Sequence, residues 1–311
     1  MINKIEYMFK KTIFLGITTL FFAALLVVPS QVSALGLTPA IMEVDLTAGE
    51  KTVAVVELKN DTQEEIKLET EVINFTAEGE TGQPAFDFEA AQTGIATWVD
   101  VDEGPITIKV GATQEVTVTF DTPANATAGG HYVAVFFNET LPDQQDGQLL
   151  IESKLGTLFM ATVAGDYTEA GSIATFTSDK TNYSDGAVKF AVRFKNTGEA
   201  HIKPAGTVVI TDMFGKDVES IAVNSEKGAI LAGSVREFAV ANWDVTGFGK
   251  FTATLTMTDG TVTDTEAIEF WVMTTTGIVI VIVIILVLIL LIALIIKMSK
   301  KSSKNETPQQ E

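Results

Sequence analysis

The amino-acid sequence predicts an all-β ectodomain of two β-sandwich domains in tandem, followed by one transmembrane α-helix. Three observations carry this expectation. Apolar residues alternate with polar ones at a period of two, turn residues break the alternation at the spacing of short strands, and an uninterrupted apolar run stands near the C-terminus.

At the N-terminus, Lys4, Lys10 and Lys11 precede an apolar run from Ile13 to Val28, then Pro29 and the small-residue triplet Val32-Ser33-Ala34. That order is a signal peptide over 1–34, with cleavage after Ala34. Small residues at the third and first positions before the cut let the extended chain enter a peptidase groove. An uncleaved anchor is the alternative reading of the same run.

From Leu35 onward the period is two. Ile66, Leu68 and Val72 alternate with Lys67, Glu69 and Glu71, and Val116, Val118 and Phe120 with Glu115, Thr117 and Thr119. Val188, Phe190, Val192 and Phe194 alternate with Lys189, Arg193 and Lys195 among their neighbours, and Phe251, Ala253, Leu255 and Met257 with threonines. Such half-buried strands belong to antiparallel sheets with one wet face, and two of these sheets face to face make a sandwich. Asn60-Asp61, Thr81-Gly82, Thr122-Pro123, Asn196-Thr197-Gly198, Phe214-Gly215 and Asp259-Gly260 mark turns. No sustained helical periodicity supplies the crossovers of a parallel α/β fold. The expected architecture is two immunoglobulin-like sandwiches, 35–165 and 166–274. The boundary falls in the small, polar stretch after Val163, and the first domain carries a loose insertion from Gly79 to Gly94.

Residues 277–296 are uncharged, and all but Gly277 and Ala293 are Ile, Val or Leu. At 1.5 Å per residue the run reaches about 30 Å, the thickness of a bilayer's hydrocarbon core. Lys297, Lys300, Lys301 and Lys304 follow it, and no basic residue lies between Phe251 and Ile296. The positive-inside rule therefore places the N-terminus outside and the C-terminus in the cytoplasm, with 297–311 a short basic tail. This is the layout of a single-pass cell-membrane protein, in contact with membrane lipid through its C-terminal helix.

The chain carries 21 basic and 40 acidic side chains, a formal net charge of −19. The basic clusters needed to hold phosphate backbones are missing from the ectodomain, so nucleic acid is excluded as a partner. There is no cysteine. Cores must therefore supply the stability, and thiolate metal sites and thiol nucleophiles are ruled out.

No catalytic constellation is legible, and no cofactor is expected. His131 and His201 fall in different domains and lack metal-ligand spacing, and no nucleophile elbow or phosphate-binding loop occurs. Asp100, Asp102 and Glu103 form the best calcium candidate, since oxygen ligands two residues apart in a turn can face one hard cation; a solvated acidic turn is the simpler reading. Trp98, Trp243 and Trp271 are either sugar-stacking platforms or packing residues, and Trp271 also suits a membrane-interface belt. Asn60, Asn74, Asn125, Asn138 and Asn182 head glycosylation sequons.

Glu115 to Phe120 followed by Pro123 and Gly129-Gly130-His131-Tyr132 looks like a hairpin of bacterial surface sandwiches. With the signal peptide, two β-domains, terminal helix and lysine tail, the layout resembles the WxL-interacting protein family of Gram-positive surfaces. The turns Lys195-Asn196-Thr197-Gly198 and Phe248-Gly249-Lys250-Phe251 add to the likeness. The resemblance implies peptidoglycan binding by the first domain and contacts with host or partner proteins by the second. It transfers no site residue, and other adhesion and carbohydrate-associated sandwiches share the hairpin. The expected function is a non-catalytic, membrane-anchored cell-surface module that binds cell-wall polymer or a partner surface protein. The alternatives are a membrane-tethered assembly factor that accepts a partner strand and a carboxylate-based carbohydrate-active enzyme.

Overall fold

The structure, a computed structural model, describes residues 34–101, 105–140 and 154–302. The expected signal peptide up to Ser33, Asp102 and Glu103 of the acidic turn, and the tail beyond Ser302 lie outside these residues.

The first ten strands are β1 (Leu35–Thr38), β2 (Ile41–Leu46), β3 (Lys51–Asn60), β4 (Ile66–Glu78), β5 (Gln83–Phe86), β6 (Val99–Val101), β7 (Ile106–Ile108), β8 (Thr113–Asp121), β9 (Gly129–Glu139) and β10 (Lys154–Val163). They form two sheets, β1-β3-β8-β6 and β2-β10-β9-β4-β5, with β7 also on β4. Between β1 and β2 the chain crosses from one sheet to the other at Pro39. The inward side chains meet as the alternation requires. Val56, Leu58, Val116, Val118 and Phe120 face Leu68, Val133, Val135, Phe137 and Phe159, all buried. Phe120 and Phe159 touch edge to face across the core, with centroids 5.3 Å apart.

The second set comprises β11 (Gly171–Ser178), β12 (Asn182–Tyr183), β13 (Ala187–Val188), β14 (Phe190–Asn196), β15 (Ala205–Thr211), β16 (Asp217–Val223), β17 (Val235–Phe238), β18 (Trp243–Asp244), β19 (Phe248–Thr258) and β20 (Thr263–Met273). A three-stranded sheet β11-β14-β17 faces a five-stranded sheet β12-β20-β19-β15-β16, and β13 pairs with β18. Val192, Phe194, Val208, Ile210, Leu255 and Phe270 fill the space between them. The ectodomain is all-β, two immunoglobulin-like sandwiches in tandem, and one apolar helix follows it.

Each sandwich uses a buried asparagine to pin the end of a strand. In the first, Asn60 Nδ2 donates to the carbonyls of Glu64 and Ile108 at 2.8 and 2.9 Å, and its Oδ1 accepts the Thr62 N–H. Asn196 Nδ2 donates to the carbonyls of Ala200 and Ile230 at 2.8 and 2.9 Å, and its Oδ1 accepts the Gly198 N–H. Both side chains are fully buried with these bonds satisfied, which is what makes the burial tolerable. The two sandwiches are thus built on the same turn device.

The stretch expected to be a loose insertion is ordered instead. It forms the β4–β5 hairpin and a single 3₁₀ turn at Gly94–Thr97. Phe86 meets Phe75 and Phe136 at centroid distances of 6.1 and 5.0 Å, outside either sandwich core. Its apolar residues were legible, but not the outer sheet face that receives them.

The terminal helix, α1 (Thr275–Ser302), follows β20 after one residue. Thr274 Oγ1 accepts the Gly277 N–H at 3.1 Å as an N-cap and donates to the Gly247 carbonyl at 2.7 Å. From Thr275 to Met298 the helix is long and apolar enough to cross a membrane, and its most apolar stretch is not buried in the protein.

Candidate functional site

Two strands break the wet-face rule. In β9, Tyr132 to Phe137 are apolar on both faces, and in β10 Leu158, Phe159 and Met160 run consecutively. Such continuous runs mean a sheet covered on both sides. The inner face packs in the first core, and the outer face carries Phe75, Ala134, Phe136 and Met160, all buried. This double apolarity is visible in the sequence as the run Tyr132-Val133-Ala134-Val135-Phe136-Phe137, which departs from the period of two.

What covers the outer face is the segment 224–236 of the second sandwich, through Ala229 and Leu231. Asn224 at φ 52° and Lys227 at φ 54° turn it tightly. The Asn224 side chain holds the turn by donating to the carbonyls of Pro204 and Gly228 and accepting the Gly228 N–H. The Ala232 N–H donates to Tyr132 Oη at 3.0 Å, and the Gly130 N–H to the Glu199 carbonyl at 2.8 Å. From the β4–β5 turn, the Glu80 carbonyl accepts the Glu237 N–H at 2.8 Å and its carboxylate takes both prongs of Arg193. Lys203 pairs with Glu43 of β2. The two sandwiches therefore share a bonded interface.

Beside this interface lies a cleft of about 540 Å³. Ile41, Phe75, Leu158 and Met160 line one wall, Ile230 and Leu231 the other, with Glu43, Lys203, Glu226 and Arg236 at its polar positions. Ile41 is 57% exposed on β2, an edge strand of its sheet, paired among the described residues with β10 alone. Arg236 donates from Nη1 to the Ala229 carbonyl at 2.8 Å, while its buried Nε has no protein partner. Burial lowers the guanidinium's pKa. Gly82 and Gly228 are the close neighbours that make room for it, since a Cβ on either would collide with the guanidinium.

Titrating groups border the interface. Burial pushes the Tyr132 phenol up to about 12, only partly offset by the Ala232 N–H. His201, whose ring lies 6.0 Å from that of Tyr132, is held below the usual histidine range by burial, against the opposing pull of Asp259 and Asp45. Hydrogen bonding from Arg193 holds the Glu80 carboxyl below its ordinary value.

The residues singled out by sequence fall elsewhere. Trp98 packs against the first core with its ring 4.9 Å from that of His131, whose Nε2 lies 2.9 Å from the Thr127 carbonyl. Trp243 is buried against Phe251 and Phe270. Trp271 is 46% exposed beside the start of α1. Asp100 is exposed on β6, and among the described residues no group of three His, Cys, Asp or Glu side chains could hold a metal ion. Of the sequon asparagines, Asn125 and Asn182 are exposed and Asn60 is buried. Asn74 binds the Thr93 carbonyl at 2.7 Å, and Asn138 donates to Glu71.

The fold and the cleft define a tandem sandwich protein with an apolar cleft beside the interface of its two sandwiches. No family model and no curated protein matches the chain. Among solved structures it is similar to a chaperone of the complex "Chaperone-tip adhesin complex is vital for synergistic activation of CFA/I fimbriae biogenesis", at 11% identity and TM-score 0.41, covering 77% of this chain and 98% of that one. It is also similar to the class 5 fimbriae chaperone CfaA (11%, TM-score 0.40, 76% and 98%) and the E. coli chaperone DraB (11%, TM-score 0.37, 77% and 97%). At these TM-scores the likeness adds nothing to the architecture already read from the sheets.

Proposed function

We propose that this protein is a non-catalytic, membrane-anchored surface module that holds an extended segment of a partner surface protein in the cleft between its sandwiches. The observation that carries the reading is the apolar cleft bordered by the edge strand β2. An edge strand can add a partner strand through backbone hydrogen bonds, and an adjacent row of apolar pockets can choose among side chains. Ile41, Leu158, Met160 and Leu231 supply such a row, and Glu226 and Arg236 supply polar side chains at its border. A polysaccharide would call instead for exposed aromatic platforms, and none of the three tryptophans lines the cleft. In this reading α1 spans the membrane and the lysines after it stay in the cytoplasm.

A photo-crosslinking residue at Ile41 in the full-length protein, on intact cells, tests the reading. Protein adducts that vanish when Met160→Arg fills the cleft are the expected outcome. Adducts to glycan strands would reassign the cleft to cell-wall polymer. Soluble fragments released from that polymer by the purified protein would overturn the non-catalytic reading.

A further inference from the structure

Exposed large apolar side chains gather at one end of the second sandwich. Phe214 is 87% exposed, Met213 47%, Trp271 46%, Met273 41% and Phe248 38%. The strand register brings them together. Thr211 of β15 pairs with Thr252 of β19, and Phe248 pairs with Met273, so the β15–β16 turn projects toward the end of the sheet where α1 begins. The thioether end of Met213 lies over Gly249, where a Cβ would touch it.

The Phe214 turn is rigid and internally bonded. The Asp212 carboxylate accepts the N–H groups of Phe214 and Lys216 at 2.9 and 3.0 Å, the Asp212 carbonyl accepts the Gly215 N–H, and the Asp212 N–H donates to the Lys216 carbonyl. Backbone groups bonded in this way lose little on leaving water, so the tip can enter a poorly hydrated layer at small cost. In water, by contrast, a phenylalanine exposed at a fixed turn gains nothing.

The helix start is equally fixed. A Cβ at Gly277 would collide with the Gly247 carbonyl and Phe248 Cβ, so α1 begins in close contact with the turn before β19. No slack lets the sandwich drift from the bilayer. The apolar set stands a few residues from Ile278, where the hydrocarbon-spanning run begins, which is the level at which aromatic belts sit.

We infer that Met213 and Phe214, with Phe248, Trp271 and Met273, rest in the headgroup layer of a lipid bilayer and dock the second sandwich on the membrane that α1 crosses. The inference depends on the reading of α1 as a membrane span. Burial of apolar side chains in the interface supplies the attraction, as it does for interfacial helices.

The chain has no cysteine, so a single introduced one carries a unique spin label. Full-length Phe214→Cys, Val110→Cys and Leu288→Cys proteins, reconstituted sparsely in phosphatidylcholine–phosphatidylglycerol vesicles, are compared for collision with oxygen and with an aqueous nickel complex. Val110 is 55% exposed in the turn before β8, at the end of the first sandwich away from β11, and serves as the aqueous reference. The expected result is loss of nickel accessibility and gain of oxygen accessibility at 214 relative to 110, with 288 closed to nickel. If 214 behaves like 110 while 288 is in lipid, the docking inference fails and the span stands. If 288 is open to nickel, the span reading fails and the docking with it. If 214 is closed to both reagents, it packs against protein, and the lipid assignment is overturned. An unlabelled protein gives a second measure that leaves Phe214 in place: brominated lipid should quench the emission lost on Trp271→Phe, and absence of quenching would count against docking.

Discussion

Glu80, at the tip of the β4–β5 hairpin of the first sandwich, holds Arg193 on β14 of the second in a two-pronged ion pair, with Nε to Oε2 at 2.5 Å. Its backbone carbonyl meanwhile accepts the Glu237 N–H. One residue thus ties a hairpin to two strands of the neighbouring domain. Both side chains remain partly exposed, so the pair acts chiefly as a register pin for the interface. Replacing Glu80 by Gln should raise amide hydrogen exchange in 224–236 and leave the core strands β9 and β19 protected. Unchanged exchange in that segment would show that the apolar contacts alone set the register.

A second prediction concerns the shared core chemistry. Phe194 is fully buried between the sheets of the second sandwich. Truncation to Ala should cost about 3–5 kcal/mol, read as a lowered denaturant midpoint at constant slope. A loss below 1 kcal/mol, well under the cost such a cavity carries, would mean that the core collapses around the gap.

The paired asparagines allow a matched test. Asn60→Ala and Asn196→Ala each remove two donated hydrogen bonds and one accepted N–H bond at a strand end. Each should cost about 1–3 kcal/mol. The same burial should keep the Asn60 sequon unmodified in a glycosylating host while the exposed Asn125 and Asn182 accept glycan, a difference that mass spectrometry would read.

Acidification should loosen the interface in two windows. The His201 pKa is lowered in the folded protein from an ordinary 6.5, so the unfolded chain binds the proton first. Its contribution is present above about pH 6.5 and is lost as pH falls through the lower folded value. The Glu80 pKa is likewise lowered from 4.5, and its contribution is lost in a separate, more acidic window. His201→Gln should remove the first loss and retain the second when melting temperature is followed from about pH 7.5 down to about pH 2. A profile unaffected by that substitution would exclude His201 as the source.

The sheets were legible wherever one face was wet. Val116, Val118 and Phe120 alternate with polar residues, and the structure buries them as that pattern requires. The cleft was not legible, because its walls come from β2, β4, β10 and the 224–236 turn, and no local pattern says that Leu158 will meet Leu231. A partial trace existed in the two-faced apolarity of β9 and in Phe86 and Phe88, which lie outside any alternating strand. Phe214 is legible only as part of a glycine turn, because nothing in the local pattern of Phe214-Gly215 says that its ring will stay exposed.

The joint between β20 and α1 has a mechanical meaning. With one residue between strand and helix, and with Thr274 bonded to both sides, no coil is present there to stretch. A pull on a partner seated between the sandwiches would reach the helix as a bending moment, tilting it where a tethered domain would simply rise on its leash. Under the proposed membrane-anchored reading, the length of the tandem sandwiches would act as a lever arm, and tension on the partner would become an angle within the bilayer.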